Sequence, residues 1–276
     1  MTTTRPLPLT DLPPELARRV QGVFTDIDDT LTSDGAITPD ALAALQRLHG
    51  AGVHVIAITG RPMGWSEPFA KAWPLDAIVA ENGAVALIHD EDSDGNGGGR
   101  VRIEYAQNEA TRVRNARRLA EVARQVLREV EGSTLARDSA GRVTDIAIDH
   151  AEFTQLPPQR ISQVVELMHA SGMNATVSSI HVNGWFGTHT KLSGARWMVE
   201  RLYGRALDAE LERWAYVGDS TNDQQMFGHF PLSVGVANLL DFDAQLTTWP
   251  RYLTRYPRGR GFAELADALL SAREHG

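Results

Sequence analysis

Thr25-Asp26-Ile27-Asp28-Asp29-Thr30-Leu31-Thr32 follows directly on the apolar pair Val23-Phe24. The apolar residues read as a short buried strand, which places the carboxylates at its C-terminal end. In open α/β sheets that edge is where ligands bind. Two acidic groups this close repel unless a cation or a shared proton holds them. The arrangement suggests an Asp nucleophile beside an Asp acid/base, on a hard metal such as Mg²⁺. Asp-x-Asp alone is also common in turns, where the side chains cap backbone N–H groups, so the rest of the chain must decide.

The chain has 276 residues, enough for one large domain or two modest ones. With 42% hydrophobic and 22% charged residues it has the composition of an ordinary globular protein. A net charge of −8 argues against a broad nucleic-acid surface. It does not argue against a small anionic substrate, because a bound divalent metal reverses the local field. There is no cysteine, which excludes disulfides, thiolate zinc sites and a cysteine nucleophile. No apolar run approaches the length of a membrane span. The Thr- and Pro-rich stretch from Met1 to Pro14 lacks the apolar core of a signal peptide, so a cytoplasmic location is expected. Lysine occurs only at Lys71 and Lys191; the other basic residues are arginines.

Residues 23–59 read as one β-α-β unit. Thr38-Pro39 opens the helix, with Thr as cap and Pro in the first turn. Leu42, Leu45 and Leu48 form its apolar stripe, and Gly50 and Gly52 end it. Val53-His54-Val55-Ile56-Ala57-Ile58 is a β-branched run expected to be a buried parallel strand, ending at Thr59-Gly60-Arg61-Pro62. Ala77–Ala80 runs into Glu81-Asn82-Gly83-Ala84 and a further apolar stretch to Ile88. Residues 89–100 are acidic and glycine-rich. Asp90, Asp92 and Asp94 with Gly95 hint at a calcium loop, but Val101 stands where the loop needs Glu, and a hairpin tip fits better. A long helix is expected over 106–131, then a strand at 143–149, a helix preceded by Pro157-Pro158 and ending near Gly172, and strands near 174–179 and 181–186. This α-β-α-β-β block differs from the β-α-β pattern on either side and reads as a domain inserted into another. The outer pattern resumes with a helix at 192–203, strand 214–217 ending in Gly218-Asp219-Ser220-Thr221-Asn222-Asp223, strand 232–236 and a C-terminal helix at about 262–273.

Four strand or helix ends then carry matched chemistry: Asp26 and Asp28, Thr59, Lys191, and Asp219 with Asp223. In a parallel sheet these ends converge on one edge. Carboxylates at 26 and 219, together with phosphate oxygens and water, suit Mg²⁺. Thr59 and a compact ammonium at Lys191 suit phosphate oxygens. Each feature has a plainer explanation as a turn, a surface lysine or a helix cap; their conjunction in this order does not.

In these motifs, Asp26-x-Asp28-x-Thr30, Thr59, Lys191 and Gly218-Asp219-x-x-Asn222-Asp223, the chain resembles the haloacid dehalogenase superfamily. Thr59-Gly60-Arg61-Pro62 and Glu81-Asn82-Gly83-Ala84 resemble its C2B branch, which includes sucrose-phosphate, trehalose-phosphate and mannosyl-3-phosphoglycerate phosphatases and phosphomannomutases. The resemblance implies an α/β fold: a Rossmann-like parallel-sheet core over 21–88 and 187–276, after an N-terminal segment 1–20, with an inserted α+β cap at 89–186. It implies Asp26 as nucleophile and Asp28 as acid/base. It implies Mg²⁺ held by Asp26, Asp219 and the backbone carbonyl of Asp28, with Asp223 orienting Lys191 or reaching the metal through water. Thr59 and Gly60 would grip phosphate oxygens, Lys191 would balance charge, and Arg61, Asn82 and Asn222 would complete the phosphate and substrate contacts. Substrate choice would lie in the cap, around Ser178–Phe186, where Trp185, His181 and His189 read as structural rather than catalytic. The expected partner is a small phosphorylated metabolite, a sugar phosphate above all, and neither nucleic acid nor membrane. The rivals to a phosphatase are a phosphomutase with the same core and a non-catalytic sugar-phosphate sensor. The metabolite and the oligomeric state are not legible in the sequence.

Overall fold

The computed structural model describes residues 5–90 and 100–274. Fifteen strands follow in chain order: β1 (Leu7–Pro8), β2 (Gly22–Thr25), β3 (Thr32–Ser33), β4 (Ala36–Ile37), β5 (His54–Ile58), β6 (Ala77–Ala80), β7 (Val85–Asp90), β8 (Arg100–Tyr105), β9 (Thr134–Leu135), β10 (Asp145–Asp149), β11 (Asn174–Val177), β12 (His181–Trp185), β13 (Trp214–Gly218), β14 (Leu232–Gly235) and β15 (Tyr252–Leu253). The helices are α1 (Pro14–Arg19), α2 (Pro39–Gly50), α3 (Met63–Ala72), α4 (Glu109–Glu129), α5 (Pro158–Ala170), α6 (Lys191–Tyr203), α7 (Gln224–His229) and α8 (Arg258–Glu274).

Nine strands form the large sheet in the order β1-β15-β14-β13-β2-β5-β6-β7-β8. From β1 to β6 every pair is parallel, and β7 and β8 add an antiparallel edge. The parallel strands are buried on both faces, so their side chains divide between two cores. Val23, Val55 and Ala57 face α1, α2 and α8; Phe24, Ile56 and Ile58 face α6 and α7. The order β13-β2-β5 sets side by side the three strands whose C-terminal ends carry Asp219, Asp26 and Thr59. A second sheet, β11-β12-β10-β9, is antiparallel and covers one face with α4 and α5 through Val126, Ile148, Val164, Met168 and Val182. Its other face, by the alternation of a strand, presents Asp145, Asp149, Thr176, His181, Asn183 and Trp185.

Most of the expected elements are present, Thr38 included: its hydroxyl caps α2 by accepting from the Ala41 N–H at 3.2 Å. The boundary of the insert moves. Residues 89–90 and 100–105, placed above in the cap, contribute the end of β7 and all of β8 to the large sheet, because the apolar run to Ile88 folds back as a hairpin on β6. The N-terminal segment is also part of the core: β1 pairs with β15, and α1 rests on α8. Most of the acidic stretch read as a hairpin tip, 91–99, lies outside the described residues. Among the described residues, no helix is long and apolar enough to cross a membrane.

Candidate active site

Asp26 leaves β2 with its N–H donating to the Val217 carbonyl of β13 at 2.9 Å, which fixes its backbone at the sheet edge. Its side chain is buried. Lys191, the first residue of α6, is presented by a reciprocal cap in which Thr190 and Ser193 satisfy each other's backbone N–H groups. Gly83 lets α6 come this close. It has φ +106°, and a Cβ there would collide with the Thr190 carbonyl. The buried Lys191 ammonium donates to Asp26 Oδ1 at 2.6 Å and to Asp223 Oδ1 at 2.7 Å. Asp223 Oδ1 also accepts from the Tyr216 hydroxyl, and its Oδ2 accepts from the Asp219 and Ser220 N–H groups at 3.0 and 3.2 Å. Both Asp223 oxygens are therefore engaged in holding Lys191 and the turn, which favours the first of the two roles expected for it.

Asp219 differs. Its Oδ2 accepts from the Asn238 amide at 3.2 Å, while Oδ1 is buried with no partner among the described residues. Asp26, Asp219 and Asp223 each offer a carboxylate oxygen within 4.8 Å of the others. Burial pushes Asp26 up to about 8, against the pull of Lys191, and pushes Asp219 well above the carboxylate range, with the Asp26 charge adding to it. Burial works to lower the Lys191 pKa, but Asp223 and Asp26 outweigh it and the ammonium stays charged. A buried, partly orphaned cluster of carboxylates with one ammonium fits a hard divalent cation, which takes oxygen ligands and supplies the missing charge.

The Asp28 carboxylate is not in this cluster; the metal contact expected of Asp28 is through its backbone carbonyl. The carboxylate accepts from Arg61 Nε at 2.9 and 3.0 Å, and Arg61 reaches Asp138 at 3.2 Å and Glu152 at 2.8 Å. Arg61, expected among the phosphate contacts, is thus committed to three carboxylates, two of them from the cap, and lies over the Trp65 ring. Burial would raise Glu152, but hydrogen bonds from His181 and Arg61 prevail and hold it at about 2. Thr59 is buried, its Oγ1 accepting from the Arg61 N–H at 3.0 Å. At Gly60 a Cβ would lie 3.1 Å from Asn183 Oδ1, so the loop runs tight under the cap. Asn82 is buried with φ +56° and its Nδ2 unpartnered; Asn222 Oδ1 accepts from Ser220 Oγ at 2.9 Å.

The cap meets the core through side chains that sequence reasoning missed. Glu81 accepts from the Val143 N–H, the Thr144 N–H and the Thr144 hydroxyl. Arg142 donates to the Gly60 carbonyl at 2.9 Å and pairs with Asp145. Asn238, whose amide also donates to the Asp29 carbonyl at 3.1 Å, follows β14 and obeys the same strand-end rule that picked out Asp26. The turn Ser178–Ile180 lies with Asp26, Asp28, Asn183, Ser220 and Asn222 around a cavity of about 10 Å³, room for no more than one water.

Residues 23–96 match the model of a haloacid dehalogenase-like hydrolase family. The chain has the haloacid dehalogenase-like fold. Across solved structures, this fold is shared with a protein of Thermoplasma acidophilum (16% identity, 91% of this chain and 98% of that one, TM-score 0.67). It is shared with the sucrose-phosphatase of Synechocystis, solved with sucrose and phosphate (17%, 91% and 98%, 0.62). It is shared also with the C-terminal domain of the C. albicans trehalose-6-phosphate phosphatase (14%, 98% and 99%, 0.65). No curated protein sequence matches. The haloacid dehalogenase-like core accounts for the parallel sheet, and the separate four-stranded sheet is consistent with a cap.

Proposed function

We propose that the protein is a Mg²⁺-dependent phosphatase that hydrolyses a phosphomonoester of a small metabolite, a sugar phosphate, through an aspartyl-phosphate. The observation that carries this reading is the Asp26 carboxylate, buried at a strand end, 2.6 Å from the Lys191 ammonium and beside the unpartnered oxygen of Asp219. Asp26 and Asp219, with Asp223 in reach, would hold the cation, which when bound offsets the negative charge of both carboxylate and phosphate. Asp26 attacks phosphorus and displaces the alcohol. Asp28, released from Arg61 as substrate seats and taking up a proton from solvent as that ion pair parts, gives this proton to the alcohol oxygen and then takes one from the water that cleaves the acyl phosphate. Lys191 stabilises the charge on Asp26 and on the transferring group. In this reading the Thr59 hydroxyl and the Gly60 N–H grip phosphate oxygens. With so little free volume, the Ser178–Ile180 turn must lift for substrate to reach Asp26, and its return sheds water. The likeness to two phosphatases named for phosphosugars supports the substrate class.

The test is phosphate release from hexose, disaccharide and glyceryl phosphates, with Mg²⁺ and with EDTA. Mg²⁺-dependent release is expected. Folded protein that binds Mg²⁺ and releases no phosphate from any of them would overturn the reading in favour of a mutase or a sensor.

A further inference from the structure

Two larger clefts share walls with the closed cavity over Asp26. One, of about 330 Å³, is lined by Asp28, Asp29, Asp34 and Glu152. Its two cations, Arg61 and Arg258, are already paired with Asp28 and Asp29. Such a wall repels a phosphoester rather than seating one.

The other, of about 420 Å³, runs between the two sheets and lies in the size range of small-molecule sites. Asn174, Thr176 and Trp185 wall it from the cap; Asn82, Lys191 and Asn222 wall it from the core. Asn174 and Thr176 stand opposite Trp185 and Asn183 on the strand face turned away from the apolar core of the cap. Among the described residues no acid lines this cleft, and its one buried cation, Lys191, is occupied by Asp26 and Asp223. Two of its polar atoms are buried and have no partner among the described residues, one from each wall: Thr176 Oγ1 and Asn82 Nδ2. An unmade buried hydrogen bond is costly, and hydroxyl groups of a ligand in the cleft would make these two. A ligand bringing a second carboxylate or phosphate would find amides, hydroxyls and, on the exposed side, the His169 ring, but among the described residues no lysine or arginine free to pair with it, so a charge seated beside Thr176 and Asn82 would be buried unpaired.

We propose that this cleft is the leaving-group subsite and that it selects an uncharged, hydroxyl-rich leaving group over one that carries an anion of its own. The inference rests on the phosphatase reading and adds a direction and a charge rule to it.

The experiment compares kcat/KM on matched esters: glucose 6-phosphate against 6-phosphogluconate, and glycerol 3-phosphate against 3-phosphoglycerate, with para-nitrophenyl phosphate as the reference. The neutral member of each pair should be favoured by about tenfold or more, the factor that 1.4 kcal/mol confers. Thr176→Lys places a cation in the cap wall and should shrink that ratio about tenfold or reverse it. Equal or better turnover of the anionic esters by the wild-type protein would overturn the subsite, as would a ratio that Thr176→Lys leaves unmoved. No hydrolysis of any ester, para-nitrophenyl phosphate included, would overturn the phosphatase reading and the subsite with it.

Discussion

Replacing Lys191 with Met removes one ammonium and leaves a side chain of similar length in its place. In the native protein Lys191 is 4% exposed and its ammonium bonds two buried carboxylates at 2.6 and 2.7 Å. Removing one partner of a buried ion pair costs about 3–5 kcal/mol, because the other charge stays buried and uncompensated. For a chain of this size that is a fall in melting temperature of roughly 6–20 °C, at about 2–4 °C per kcal/mol. Thermal unfolding followed by circular dichroism in EDTA measures it. Titration with Mg²⁺ should then raise the melting temperature of Lys191→Met by more than it raises that of the wild type, since a cation there replaces the missing charge. Phosphate release should drop by about 10²–10³-fold, the loss typical of one preorganised electrostatic contact. Lys191→Arg should not restore it, because a planar guanidinium does not fit a site shaped for a compact ammonium. A melting temperature in EDTA within about 2 °C of the wild type, less than 1 kcal/mol, would refute the reasoning.

Asn238→Ala removes the hydrogen bond that aims Asp219, and outer contacts of this kind are worth about 10–100-fold in metal affinity. Calorimetric titration with Mn²⁺ should show that loss, and unchanged affinity would remove Asn238 from the site. His189 is buried against Trp185 with neither ring nitrogen partnered among the described residues, and burial lowers its pKa to about 4. The unfolded chain therefore binds a proton near pH 6.5 that the folded chain refuses until about 4, so this residue subtracts stability as pH falls from 6.5 towards 4. His189→Phe should raise the melting temperature at pH 5 more than at pH 7.5; an equal effect at both would contradict a buried neutral imidazole.

The core was legible because its strands are continuous apolar runs that end in polar residues, as at Val23-Phe24 before Asp26 and Ile58 before Thr59. Lys191 stood out because the chain has so little lysine. The cap boundary was not legible. The run Val85–Asp90 looks the same whether it leads into a new domain or turns back on β6, and only the pairing with Arg100–Tyr105 decides. Nor was the fate of Arg61. Its sequence neighbours Thr59 and Gly60 point to phosphate, whereas its partners Asp28, Asp138 and Glu152 lie 33, 77 and 91 residues away. Contacts at such separations, like that of Glu81 with Thr144, leave no local periodicity to read. Asn238 was within reach of the strand-end rule but lacks the charge that drew attention to Asp219.

Whether Asp26 carries the phosphoryl group is the question that most directly tests the proposed chemistry. Acid quenching during turnover of a phosphate ester in Mg²⁺, followed by peptide mass spectrometry, should find a phosphoryl group on the peptide containing Asp26. The modification should be missing from Asp26→Asn, which should retain its fold and lose turnover. Steady hydrolysis with no phosphorylated Asp26, or an Asp26→Asn protein that still releases phosphate at a rate near the wild type, would contradict it.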